Sequence, residues 1–189
     1  MEIVFATNNK HKLEEARVIL PEIKIISLEE LGFREEIPEP HNTLEANAFE
    51  KARRIHDQFN CNCFSDDTGL EIDFLNGEPG VHSARYAGDN ASFQDNVEKV
   101  LDKMSGADSR AARFRTVVAL ILDGNEHTFE GSVEGSISRQ PQGKEGFGYD
   151  PIFRPKGDQR TFAEMTLSEK NTYSHRARAM EKLANFLGQ

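Results

Sequence analysis

The chain has 189 residues, 37% of them apolar, which is enough to build a packed core and excludes a disordered polypeptide. Its 32 acidic residues outnumber the 23 Lys and Arg, a formal net charge of −9 that argues against nonspecific wrapping of a nucleic acid. Any polyanion it binds must therefore meet a local basic pocket, and no stretch approaches the length of a membrane span.

The chain opens on EIVFA (2 to 6), which reads as a buried strand and lacks the basic and long apolar regions of a secretory signal. HKLEEARVIL (11 to 20) predicts a helix with Leu13, Ala16, Ile19 and Leu20 on one side, and IKIIS (23 to 27) a second strand. After an acidic loop with Pro38 and Pro40, a longer helix is expected from Asn42. Asn42 would cap it and Glu45 would complete a capping box, with Leu44, Ala48, Ala52, Ile55 and Phe59 as its core face. CNCFSD predicts a strand that ends at the acidic pair Asp66-Asp67, and GLEIDFL a further strand with Leu70, Ile72 and Phe74 alternating against Glu71 and Asp73. Cys61 and Cys63 would point to opposite faces of a strand, which favours reduced thiols and a cytoplasmic setting.

Ser92 is placed to cap a helix over 92 to 104 with Phe93, Val97, Val100, Leu101 and Met104 facing inward. RFRTVVALIL (113 to 122) carries the strongest strand signal, and HTFEGSVEG is its expected antiparallel partner across the turn at Asp123-Gly124-Asn125. Gly143 to Gly148 predicts a glycine-rich loop, and Ser174 to Leu187 a terminal helix with Gly188 as its stop. No repeat and no linker divides the chain, so a single domain is expected, built on a mixed sheet flanked by helices.

Five stretches could carry chemistry, and each has a plainer alternative. ATNNKHK (6 to 12) leads from a strand into a helix, where Thr7, Asn9, Lys10, Lys12 and exposed amides would grip phosphate; an Asn-capped helix with solvated lysines is the other reading. Asn47 and Lys51 share a face of the long helix beside its apolar stripe, either solvated or directing an ammonium into a cleft. Asp66-Asp67, with Glu39, could supply hard oxygen ligands for Mg²⁺, or could be solvated acids at a turn. GFGYDP offers Phe147, Gly148, Tyr149 and Asp150 for a planar base and a sugar, or forms local core. Lys170, His175 and Arg176 cluster where the last helix begins, for solvent or for ligand oxygens. No His/Cys metal spacing, nucleophile elbow or dinucleotide fingerprint is present.

Taken together in their order, ATNNKHK, TLEANAFEKAR, FSDDTGLEIDFLNGEPGVHSARYAG, GFGYDPIF and TLSEKNTYSHRARAM resemble the inosine triphosphate pyrophosphatase family, also called the Ham1 family. The resemblance implies an elongated mixed sheet in two lobes with an active-site cleft between them. It also implies a Mg²⁺-dependent homodimer that hydrolyses ITP, dITP and XTP to the monophosphate and pyrophosphate. By motif, Asp67 would accept a proton and share the metal with Glu39. Thr7, Asn8, Asn9, Lys10, His11, Lys12, Lys51 and Thr68 would hold phosphates, while Phe147, Gly148, Tyr149, Asp150, Lys170, His175 and Arg176 would enclose base and sugar. Asn8 departs from the small Gly or Ser usual at its position, and a bulkier side chain there would crowd a phosphate. Two rivals are a Maf-like pyrophosphatase with other nucleotide substrates and a noncatalytic nucleotide-binding module.

Overall fold

The computed structural model describes residues 1–188. They form two compact units, each assembled from separated stretches of chain. The first comprises Met1–Asp67, Thr116–Gly131 and the stretch from Arg176 onward; the second comprises Thr68–Arg115 and Ser132–His175.

In the first unit, β1 (Glu2–Phe5) pairs in parallel with β2 (Lys24–Ile26) and with the start of β3 (Cys63–Ile72), in registers Ile3 to Ile25 and Val4 to Cys63. Helices α1 (Lys10–Ile19) and α3 (Leu44–Phe59) make the parallel crossovers. Strand alternation sends Ile3, Phe5 and Phe64 to one face, where Ala16 of α1 and Met180 and Leu183 of α6 (His175–Phe186) cover them. Val4, Ala6 and Cys63 face the other way, against Ala48, Ala52 and Ile55 of α3. Both faces are buried, as a parallel sheet requires.

The second unit continues β3 and adds β4 (Pro79–Gly80), α4 (Phe93–Lys103), β7 (Phe153–Pro155) and α5 (Leu167–Tyr173). The strands β5 (Ala111–Leu122) and β6 (Asn125–Ile137), like β3, contribute residues to both units. They are joined at Asp123 and Gly124, both at positive φ (50° and 77°), the backbone of the expected tight hairpin turn. β4 and β7 pair antiparallel with β3 and β6, so the sheet, ordered β2-β1-β3-β5-β6-β7, is mixed as expected. Its core here runs from Leu70 and Ile72 through Val97, Val100 and Met104 to Phe114, Phe153 and Phe162.

Several local expectations are corrected. β3 does not stop at the acidic pair but runs unbroken through Asp66, Asp67, Thr68 and Gly69. Gly69 permits this, because a Cβ there would sit 2.8 Å from the Gly80 carbonyl oxygen and push β4 away. The cap of α3 is Thr43, which accepts from the Ala46 amide, so Asn42 lies outside the helix and Glu45 is not its capping-box partner. A one-turn helix α2 (Leu28–Leu31), closed by a Ser27/Glu30 capping box, and α5 were not anticipated, whereas the terminal helix expected over Ser174 to Leu187 is α6. Phe74 and Phe93, both expected inside, are 46% and 48% exposed. Phe74 falls in a short 3₁₀ turn that ends the strand alternation, and Phe93 is the first residue of α4, ahead of the turns that pack inward.

Both cysteines are free; Cys63 is fully buried and its thiol is pushed up to about 12 by burial and then by the neighbouring Cys61, which is only half-buried. A thiol reagent at pH 8 should titrate Cys61 in the native protein and Cys63 only after denaturant is added. Equal native labelling of both in a Cys61→Ser and Cys63→Ser comparison would contradict this burial.

Candidate active site

The first unit concentrates charge where β1, β3 and the starts of α1 and α3 meet. Asn9 caps α1 by accepting from the Lys12 amide at 3.2 Å, and Thr7 Oγ1 accepts from the Asn9 amide at 3.2 Å. The strand-to-helix turn is thus fixed by its own polar side chains, which aims Lys12 across to β3. Lys12 Nζ donates to Asp66 Oδ1 at 2.9 Å, and Arg176 Nε donates to Asp66 Oδ2 at 2.9 Å. Arg176 Nη1 hydrogen-bonds Glu15, one turn along α1 from Lys12. Glu15, Asp66 and Arg176 are at most 3% exposed, so a row of alternating charges, Glu15, Arg176, Asp66 and Lys12, lies inside the protein.

Asp67, the next residue of β3, points to different partners. Asn47 Nδ2 of α3 donates to Asp67 Oδ2 at 3.3 Å, and Lys51 Nζ stands 3.9 Å from Asp67 Oδ1 while hydrogen-bonding Glu39. Asn47 also clasps the His41 backbone, accepting from its amide at 2.9 Å and donating to its carbonyl at 3.2 Å, which holds the Glu39 loop beside α3.

The two adjacent carboxyls are driven in opposite directions. Burial would lift Asp66, but Lys12, Arg176 and Lys51 outweigh it and hold this carboxyl far below the usual carboxylate range. Burial lifts Asp67 above its ordinary value, with Glu39 and Asp66 adding to the rise against Lys51 and Lys12. Burial likewise lowers Lys12, whereas for Lys51 the desolvation is outweighed by Asp67, Glu39 and Asp66, which raise it. Neighbouring acids whose affinities for a proton are pushed apart are the pattern of a fixed anion beside a working base.

In the second unit the loop around Phe147 is held from within. Asp150 is 3% exposed; it accepts from the Phe147 amide at 2.9 Å and from Lys170 Nζ at 2.7 Å. Gly146 has φ +73°, and a Cβ on it would meet Asp150 Oδ2 at 2.1 Å, so only glycine admits this clasp. Lys170 Nζ also lies 4.9 Å from the Phe147 ring centroid, and Tyr149 donates its hydroxyl to the Ser83 carbonyl at 2.7 Å. His175 stacks on Phe114 with centroids 4.6 Å apart and planes within 12°.

The sequence profile of the Ham1 family matches residues 3–186. This chain belongs to that family. A dITP/XTP pyrophosphatase of Porphyromonas gingivalis is 50% identical over 188 residues, covering 98% of this chain and 97% of the relative. One of Flavobacterium psychrophilum is 47% identical over 187 residues, covering 98% of each. The solved structure of a Ham1 protein from Coxiella burnetii superposes with a TM-score of 0.90 at 42% identity, over 100% of this chain and 98% of that one.

Within this Ham1 chain, Thr7, Asn9, Lys12, Glu39, Lys51 and Asp67 belong to the first unit, and Phe147, Gly148, Tyr149, Asp150, Lys170 and His175 to the second. Thr68, half-buried, follows Asp67 on β3. Asn8 donates its side-chain amide to the Glu35 carbonyl at 3.0 Å. Lys10 and His11 are exposed on the first turn of α1, and Lys10 lines an open groove of about 620 Å³ shared with α2. Arg176, for which the resemblance implied a place at base and sugar, is 1% exposed, with two nitrogens hydrogen-bonded to Asp66 and Glu15. Glu15 escaped the sequence reading, although its i, i+3 spacing from Lys12 places both on one helix face.

Removing Arg176 would leave Asp66 and Glu15 as buried charges without their shared counter-ion. Arg176→Met should destabilise the fold by about 3–5 kcal/mol, read as a lower urea midpoint at unchanged slope. A loss under about 1 kcal/mol would mean that water reaches the network.

Proposed function

We propose that this chain is a nucleoside triphosphate pyrophosphatase that hydrolyses the deaminated purine nucleotides ITP, dITP and XTP to monophosphate and pyrophosphate, clearing them from the nucleotide pool. The observation that carries this reading is the geometry around the acidic pair: Lys12 on Asp66 at 2.9 Å, and Asn47 and Lys51 beside Asp67 at 3.3 and 3.9 Å, with Glu39 on the same lysine. Its chemical class is that of the dITP/XTP pyrophosphatases it is similar to.

Asp67 orients a water for in-line attack at the α phosphorus and takes its proton, a task suited to a carboxyl whose proton affinity burial has raised. Lys12 and Lys51 hold the phosphate oxygens and the departing pyrophosphate, with Thr7, Asn9 and Thr68 as neutral donors. Asp66 keeps Lys12 charged and in place. Phe147 takes the base, Asp150 and Lys170 fix the loop that carries it, and Arg176 or a backbone amide donates to a 6-oxygen. Adenine presents an amino donor at that position and would leave the protein donor unpaired.

The donor set suits Mg²⁺: Glu39 and Asp67 offer hard carboxylate oxygens, and this ion is commonly held by one or two carboxylates plus waters and substrate phosphates. When bound there, Mg²⁺ would neutralise charge on the phosphate oxygens. The working form is read as a cytoplasmic homodimer, for which light scattering on the purified protein is the direct check. Among the described residues, no helix is long and apolar enough to cross a membrane.

Pyrophosphate release should be fast from ITP, dITP and XTP, slow from ATP, and abolished by EDTA until Mg²⁺ is restored. Equal rates on ITP and ATP would reject the base reading. Asp67→Asn should lower kcat by at least about a hundredfold with an unchanged unfolding midpoint. Near-normal turnover in that variant would remove Asp67 as the base.

A further inference from the structure

Phe93 stands at the first position of α4, half-exposed, although this position of a helix favours small polar residues or proline. A single exposed phenylalanine needs no explanation on its own. This one is set against another ring: its centroid lies 6.0 Å from that of Phe147, with planes inclined at 49°. Neither ring is loosely carried. Ser92 and Asp95 close a capping box around Phe93, and Asn96, one turn on, accepts from the Ala87 amide at 2.7 Å and donates to the Ala84 carbonyl at 3.1 Å. Tyr149 ties the Phe147 loop to the same segment through the Ser83 carbonyl, and the Asp150 clasp fixes Phe147 from the other side. Two separate stretches of chain are therefore stapled together so that two aromatic rings meet at an angle.

We propose that Phe93 is a second substrate-contacting wall of the base site: a purine stacked on Phe147 meets the Phe93 ring along its edge. This rests on the reading that Phe147 takes the base. Two rings inclined in this way form a corner that accommodates a flat bicyclic system better than one phenyl does, since aromatic groups pair by offset stacking on one partner and edge contact with another. The contact is apolar and reads no hydrogen-bonding edge, so it strengthens binding of purine nucleotides as a class and leaves discrimination at the 6-position to polar donors. It belongs to substrate binding and not to the chemical step.

The test compares wild type, Phe93→Leu, Phe93→Trp and Phe147→Leu in ITP hydrolysis, with tripolyphosphate, which has no base, as a competing inhibitor. Phe93→Leu keeps apolar bulk but loses the ring; its KM for ITP should rise roughly fivefold or more, the lower end of one aromatic stack. Its kcat should stay within about twofold, and its Ki for tripolyphosphate should not change. Phe93→Trp should match or lower the wild-type KM. An unchanged KM in Phe93→Leu while Phe147→Leu raises it would overturn the second wall alone. A parallel rise in the tripolyphosphate Ki would also overturn it, by showing a general distortion. Unchanged KM in Phe147→Leu, or no ITP hydrolysis by wild type, would instead remove the reading on which it rests.

Discussion

The first unit depends on the burial of Asp66 between two cations. A carboxylate that is 1% exposed is tolerable only with its charge answered, and Lys12 and Arg176 answer it from α1 and α6 at 2.9 Å each. Arg176 is in turn balanced by Glu15. Two segments far apart in sequence, α1 and α6, are thus bound to one point on β3, and that point immediately precedes Asp67. The same network that satisfies a buried anion also sets the direction of its neighbour, because a strand sends successive side chains to opposite faces.

That alternation separates two jobs that the adjacent acids could not share. On one face Lys12 and Arg176 hold Asp66 below the usual carboxylate range against its burial; on the other, burial lifts Asp67 beside Lys51 and Asn47. Lys51 is the link in charge between them, since both acids raise its affinity for a proton. Substituting either acid would therefore disturb the other, so single-residue effects here should not be expected to add.

In the second unit the organising group is again a buried acid, but its work is mechanical. Asp150 ties a backbone amide and an ammonium together and so gives a glycine-rich loop one shape. Glycines at positive φ supply the turns, and the aspartate removes the freedom they would otherwise leave. Phe147 is consequently presented by a loop with little latitude, a prerequisite for any selectivity based on the face and edge of a flat ligand.

Much of this protein was legible in its residues. Period-two and helical patterns located β1, α1, α3, β5 and the β5–β6 turn, and the ordered motifs pointed to the Ham1 family. Local pattern failed where the deciding partner was distant. A pair of aspartates followed by Thr-Gly signals a turn in isolation, yet β3 continues because cations from α1, α3 and α6 remove the reason for those acids to seek water. The acceptors of Arg176, Glu15 and Asp66, lie 161 and 110 positions away, beyond the reach of any local pattern. Phe93 fitted the apolar stripe of its helix, but it stands at the first position of α4, and its contact with Phe147, distant along the chain, is one that no local pattern can show. Periodicity and composition are properties of neighbouring residues and settle which elements form; charge compensation and ring contacts are sums over the folded neighbourhood, so only the tertiary structure decides which acid is inert and which can act.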